Sequence, residues 1–378
     1  MKHNFMGKAA MAIVCCLFLT LQLNAQVDYP TFKTPININP ADSEKLSFSF
    51  DDVNYLYNTE YFTNIPLSGT LFGYQLVPEL RFQPNSRLVL KGGIYLQKEF
   101  GRTGYTSNEP TFSIKYFAKH CSLLLGTLEG NLNHGFIEPI YDYQSYISHR
   151  NENGLQFKVF TKPYYQDLFI NWTRAIHPGD GFKEEFDIGM SDKFNIHADK
   201  KFEFGIPLQL LYSHKGGQYD TSSAPLTSLF NFTIGGSLTF KFEHQFLQKI
   251  VADNYWVYYK DISFTRRQVF DSGNAYLSHL LLSFKYFDLD FRYWRGNGFI
   301  GPKGGGLFQS VSQSMPGYSE KIRQLLLASL IYDREILKNV NFDFRFSPYY
   351  DFGNKALEYS YELYLRYRLS VFLKKIRI

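Results

Sequence analysis

Residues 361–372 read YELYLRYRLSVF. Taken alternately, Tyr361, Leu363, Leu365, Tyr367, Leu369 and Val371 form one face, and Glu362, Tyr364, Arg366, Arg368, Ser370 and Phe372 the other. A period of two belongs to a strand, whose successive side chains point to opposite sides. The stretch Tyr361–Val371 rises about 33 Å at roughly 3.3 Å per residue, or about 25 Å along the membrane normal once tilted as barrel strands are. That is the height of a bilayer's apolar band, and it exceeds the strand length usual in soluble sandwiches.

The alternation recurs along the chain. In VNFDFRFSPYY (340–350), Phe342, Phe344 and Phe346 oppose Asp343 and Arg345; in FDLDFRYW (287–294), Leu289 and Phe291 oppose Asp288, Asp290 and Arg292. NFTIGGSLTFKFE (231–243), LVPELRF (76–82) and RLVLKGGIYLQ (87–97) follow the same scheme, with Lys241, Glu79, Arg81 and Lys91 on the polar side. Sixteen such segments lie between 46–57 and 357–372. Short connections such as PNSR, AKH, ADKK, LQK and REILK follow the even-numbered ones, and longer connections follow the odd. This asymmetry is that of outer-membrane barrels, with tight periplasmic turns and longer outer loops. The expected fold is therefore all-β: a transmembrane antiparallel up-and-down β-barrel of about 16 strands. Fourteen is the main alternative, because 121–128 and 184–196 alternate weakly.

The N-terminus agrees with export. Lys2 and Lys8 flank the apolar run AAMAIVCCLFLTLQL, which ends at Asn24 and Ala25, the pattern of a cleaved secretory signal peptide. The expected division is a signal peptide at 1–25, a periplasmic N-terminal lead-in at 26–45 carrying Pro30, Pro35 and Pro40, and the barrel at 46–378. Cys15 and Cys16 leave with the signal peptide, so Cys121 alone offers no disulfide framework. The formal charge of +5 includes Lys2 and Lys8, so the exported chain is only mildly basic, which points away from nucleic acid. Aromatic residues make up 18% of the chain, as interfacial belts require. The partners expected of such a chain are outer-membrane lipid and lipopolysaccharide, the barrel-assembly machinery during biogenesis, and small hydrophilic solutes.

In strand number, loop alternation and aromatic belts such as Tyr361 and Tyr276/Tyr286, the chain resembles the general porins of Gram-negative outer membranes. Two features depart from their pattern: the chain runs on past Phe372 to LKKIRI, and the third outer connection lacks a Pro-Glu-Phe-Gly signature. The resemblance implies localisation in the outer membrane and a pore for passive diffusion. The inward charges Arg81, Lys91, Lys241, Asp288, Asp290, Arg292, Asp343, Arg345, Arg366 and Arg368 would line it. Unpaired ions in a dry core cost several kcal/mol each, so that interior must be either watered or cross-paired. The third outer connection (129–153) carries His134, Glu138, Asp142, His149 and Arg150, and either caps the barrel or folds inward as a constriction loop. His134 and Glu138, four residues apart, are a weak metal pair, and neither a metal nor a cofactor is expected. GPKGGG (301–306) reads as flexible outer loop.

Catalytic readings are poorer. Ser213–His214 and Ser278–His279 resemble a nucleophile beside its base, but neighbours on a strand face opposite ways. A dyad assembled from separate strands stays open. The expectation is thus a pore and not an enzyme, with a closed structural or receptor barrel, or an outer-membrane hydrolase, as alternatives. The face assignment also implies that Leu365→Arg harms the barrel far more than Arg366→Leu.

Overall fold

The computed structural model describes residues 30–129, 134–217, 219–243 and 245–377; the proposed signal peptide and residues 26–29 lie outside them. Sixteen antiparallel strands close into one barrel, each paired with its sequence neighbours and the last returning to the first. They are β1 (Lys45–Glu60), β2 (Gly69–Asn85), β3 (Leu88–Glu99), β4 (Ser107–Phe117), β5 (Cys121–Thr127), β6 (Asn153–Phe160), β7 (Tyr164–Arg174) and β8 (Glu184–Ala198), followed by β9 (Phe202–Gly216), β10 (Thr227–Lys241), β11 (Leu247–Asp261), β12 (Ser272–Phe284), β13 (Asp288–Asn297), β14 (Ile322–Leu337), β15 (Val340–Asp351) and β16 (Ala356–Lys375). A four-residue helix, α1 (Ser145–Ser148), interrupts the third outer loop. Closure pairs the backbone of every strand, which is what lets strands cross a bilayer. No helix among the described residues is long and apolar enough to do so.

The two faces separate as the alternation requires. On β16, Tyr361, Leu363, Leu365 and Tyr367 are exposed outward, whereas Tyr364 and Arg366 are buried inward. Past Phe372 the alternation is broken by a bulge: Leu46 pairs with Lys374 but Ser47 with Phe372, so Leu373 has no opposite number and the strand continues to Lys375. Two connections differ from the expected ones. The residues of LQK belong to β11, and those of REILK up to Leu337 to β14. Asn339 adopts φ 67°, a left-handed conformation that Asn tolerates, so two residues suffice to reverse the chain after Leu337.

Three segments fill the lumen. The first is the lead-in: Thr31 and Phe32 are buried, with Thr31 Oγ1 donating to Asp333 Oδ1 (2.5 Å) and the Phe32 ring edge-on to Tyr364 at 4.8 Å. The start of its described part, through Thr31, Phe32 and Ile36, therefore lies within the wall and is no free periplasmic tail. The second is the third outer loop. β5 is the shortest strand and ends beside Gly126, where φ is 109° and an added Cβ would lie 2.0 Å from the Phe112 carbonyl oxygen, so that only glycine fits unstrained. The chain leaves the wall early there and drops inward, burying Phe136, Ile137, Ile140 and Tyr141. The third is the connection between β13 and β14, which contains GPKGGG. It is packed, in contrast to the flexible loop expected: Gly305 N–H donates to the Glu138 carbonyl (3.0 Å) and Asp142 N–H to that of Lys303 (2.7 Å). A Cβ on Gly304 would sit 1.8 Å from the Pro139 carbonyl oxygen, so only glycine allows this approach. Trp294, Tyr259, Leu277 and Leu325 on the wall meet Phe136, Phe299 and Phe308 of the two loops in one apolar cluster.

Candidate functional site

The ten inward charges read from the sequence all face the lumen side, but most are held by a neighbour or by a segment inside it. Arg366 Nη2 lies 2.6 Å from Asp51 Oδ2, and Arg368 Nη2 donates to the Thr31 carbonyl (2.7 Å). Asp343 and Arg345 make two bonds of 2.9 Å, and the Arg345 guanidinium covers Phe32 at 4.8 Å. Lys91 pairs with Glu79 at 2.5 Å, Lys241 pairs with Glu203, and Arg81 donates to the Asn37 carbonyl (2.6 Å). Asp288 faces Ser283 in register near the periplasmic rim. Asp290 lies 3.5 Å from His279 and 3.3 Å from Arg292, which also bonds Glu138 of the inserted loop. The cavity among Glu138, Tyr143, Tyr255, His279 and Arg292 is about 30 Å³, the room of a single water.

The loop residues are equally engaged. His134 Nε2 meets Glu152 at 2.5 Å and its Nδ1 meets Asp167 at 3.3 Å. Burial would lower the His134 pKa, yet these two carboxylates raise it to about 9. His134 and Glu138 thus turn to different partners and form no metal pair. No group of three or more His, Cys, Asp or Glu side chains among the described residues could hold a metal ion. Asp142 is pushed up to about 7 by burial and by the charge of Glu138, although Gln144 N–H donates to it at 2.9 Å. Arg150 bonds Asp51 and Gln75, and His149 contacts Ser148 at 3.0 Å.

A second constellation sits on the opposite face of the wall, at the outer end of the barrel. Tyr212 and His214 lie on the outward side of β9, and Ser228 is opposite His214 on β10, across the hairpin. Ser228 Oγ is 2.9 Å from His214 Nδ1, and the Tyr212 hydroxyl reaches His214 Nδ1 at 3.2 Å and Ser228 Oγ at 3.3 Å. Ser228 N–H donates to Ser263 Oγ (2.8 Å), which fixes the backbone of the serine. Across the other edge of β9, Phe186 pairs with His214 and Glu184 with Gly216, so Glu184 shares the outward face. Gly216 makes room for that ring: a Cβ there would lie 2.4 Å from His214 Nε2. Trp172 stacked on Phe186 at 5.0 Å continues the aromatic belt beside it.

The local sequence conceals this pair. Ser213 does face away from His214 and bonds Asp187 instead (2.6 Å), as strand geometry demands. The true partner lies fourteen positions on. The signal that was available is that His214 and Ser228 are the polar residues at outward positions flanking one outer loop.

Comparison with known proteins decides the family. A family model described as lipid A 3'-O-deacylase-type matches residues 38–376, nearly the whole barrel.

The chain belongs to the lipid A 3'-O-deacylase-type family.

That membership overturns the expectation that the chain is not an enzyme, because the family is one of enzymes. The barrel period and filled interior are common to transporting and catalytic barrels, so periodicity could not separate them. No curated protein matches the chain. Among solved structures, the outer membrane protein OprD of Pseudomonas aeruginosa is similar, with a TM-score of 0.51 at 10% identity over 92% of this chain and 99% of that one. A loop-deletion form of OmpT, an outer membrane protein of Vibrio cholerae, gives 0.52 at 8% identity over 86% and 99%. OccAB4 of Acinetobacter baumannii gives 0.50 at 9% identity over 88% and 100%. These likenesses are of fold: this member of the deacylase-type family is a porin-like barrel of the outer membrane. Within it, Ser228, His214 and Tyr212 bring a hydroxyl, a base and a second hydroxyl within hydrogen-bonding distance, the arrangement from which a nucleophile is made.

Proposed function

We propose that the protein is an outer-membrane ester hydrolase that removes an ester-linked acyl chain from lipid A in the outer leaflet. The contact of 2.9 Å between Ser228 Oγ and His214 Nδ1, on the lipid-facing side at the outer end of the wall, carries this reading. The polar belt at the end of the apolar band is the depth at which acyl esters of a lipid lie. There Ser228 Oγ attacks the ester carbonyl carbon while its proton passes to His214 Nδ1. The carbonyl oxygen gains the negative charge and is met by the Tyr212 hydroxyl. Collapse of the tetrahedral adduct expels the sugar alkoxide, which takes the proton from His214 and leaves an acyl-serine. Water, deprotonated by His214, then releases the fatty acid and restores Ser228.

Purified protein in mixed micelles with lipid A, assayed for released fatty acid by mass spectrometry, tests the reading. Ser228→Ala and His214→Ala should each abolish release while the barrel keeps its heat-modifiable gel migration. Absence of release by the wild-type protein, or full release by Ser228→Ala, would overturn it.

Passive diffusion of small hydrophilic solutes is the second reading, favoured by the barrel shared with OprD and OmpT. The three segments inside the lumen weigh against it. Single-channel conductance of the wild-type protein in a planar bilayer separates the two: steady open-channel current supports the pore, and a silent bilayer supports the closed wall.

A further inference from the structure

The periplasmic end of the barrel is ringed by basic side chains. Of its seven turns, six carry an exposed lysine or arginine: Arg87, Lys119, Lys162, Lys285 and Lys338 stand singly, and Lys200 and Lys201 share one with Asp199, which is itself paired with His197 at 3.0 Å. The seventh, residues 242–246, carries Glu243. Exposed Lys374 and Lys375 extend the ring where β16 ends, with Lys375 reaching Glu44 at 3.1 Å. The outer loops show no such bias: their charges alternate in sign, as in Arg266 with Asp271 (3.3 Å) and Lys183 with Asp220 (2.6 Å).

We propose that this ring binds the anionic headgroups of phospholipids in the inner leaflet of the outer membrane, forming a lipid collar that fixes the barrel's depth and orientation. Three observations select this occupant. The turns are only two or three residues long at most positions, so their cations cannot reach beyond the headgroup layer. Immediately beside them the outward face of the wall exposes large apolar side chains, including Tyr116, Phe194, Phe240 and Leu337, which supply the acyl contact below each headgroup. The cations also run around the circumference, as an annulus of lipid does, whereas a rigid polymer such as peptidoglycan would need them gathered on one side. A phosphodiester within the Debye length of several lysines is attracted by all of them, and each contributes independently.

The test uses the full-length exported protein reconstituted in phosphatidylcholine bilayers with spin-labelled phosphatidylglycerol or spin-labelled phosphatidylcholine, reading the motionally restricted fraction by electron paramagnetic resonance. Phosphatidylglycerol should be preferred by about fivefold at low salt, the preference falling toward unity at high salt. The quadruple variant Lys119→Glu, Lys162→Glu, Lys200→Glu, Lys201→Glu should lose it while keeping heat-modifiable migration. If that variant fails to fold, the wild-type salt series decides alone. Equal restriction of the two lipids, a preference indifferent to salt, or charge-dependent binding to peptidoglycan sacculi without lipid discrimination would overturn the proposal.

Discussion

Arg366 on β16 and Asp51 on β1 meet at 2.6 Å across the seam where the barrel closes. The same Arg366 also donates to the Thr31 carbonyl, and Arg150 of the third outer loop bonds Asp51. One buried carboxylate thus ties together the first strand, the last strand and the inserted loop, while its arginine partner holds the lead-in. Burial alone would raise the energy of that charge steeply, so its arginine partners are a condition of folding rather than an ornament.

The seam changes what substitution should do. Arg366→Leu, which the face pattern alone treats as mild, leaves Asp51 buried with a partner missing and should cost about 3–5 kcal/mol. Leu365→Arg places a cation against lipid and should cost about 2–4 kcal/mol. The double variant Asp51→Leu, Arg366→Leu should recover only part of the first loss, because Arg150 then lacks its carboxylate. Urea unfolding in vesicles, followed by tryptophan fluorescence, measures all three; equal stability of Arg366→Leu and wild type would refute the buried seam.

Gly216→Ala should separate catalysis from folding. The added methyl overlaps His214 Nε2 and turns the imidazole away from Ser228, so ester hydrolysis should fall by about a hundredfold, the scale of a lost general base. The substitution lies at the end of β9, and insertion should be unaffected. Tyr212→Phe should lower kcat by about tenfold or more with little change in KM, the pattern of a donor used mainly in the transition state.

Gly304→Ala should dislodge the two inserted loops from each other, since the added Cβ would lie 1.8 Å from the Pro139 carbonyl oxygen, and backbone has to move to relieve that overlap. A wild-type protein silent in planar bilayers should then show intermittent conductance. Continued silence would mean that the lead-in and the third outer loop seal the lumen without the β13–β14 connection.

Asp142 predicts a pH dependence of stability. Its pKa is raised in the folded protein, to about 7, above the unfolded value near 3.8. The folded state therefore holds a proton that the unfolded state releases, and the contribution of this group is fully present below pH 4 and lost as pH rises through 7. Wild-type Tm should decline from about pH 4 to about pH 7 and level off above that, relative to Asp142→Asn, whose curve should lack that component. Parallel curves for the two proteins would show that Asp142 is solvated.

The pairing of β strands, their number and the face each residue takes were legible in the sequence, because lipid outside and a polar interior impose opposite demands at a period of two. Tyr361 to Phe372 alone showed the two faces, and the recurrence of that period with alternating connection lengths gave the number and order of the strands. What filled the interior was not legible. Trp294, Tyr259, Leu277 and Leu325 are apolar on an inward face because two loops press against them, and such strands look the same from either side. GPKGGG reads as slack until Gly304 is seen against Pro139. Likewise, local periodicity rejected Ser213 as a partner for His214 but could not supply Ser228, since only the β9–β10 register brings residues fourteen apart to 2.9 Å. Alternation is a property of each strand and is written locally; a lumen plug and a cross-strand dyad depend on which residues closure brings together, and that is decided by the tertiary structure.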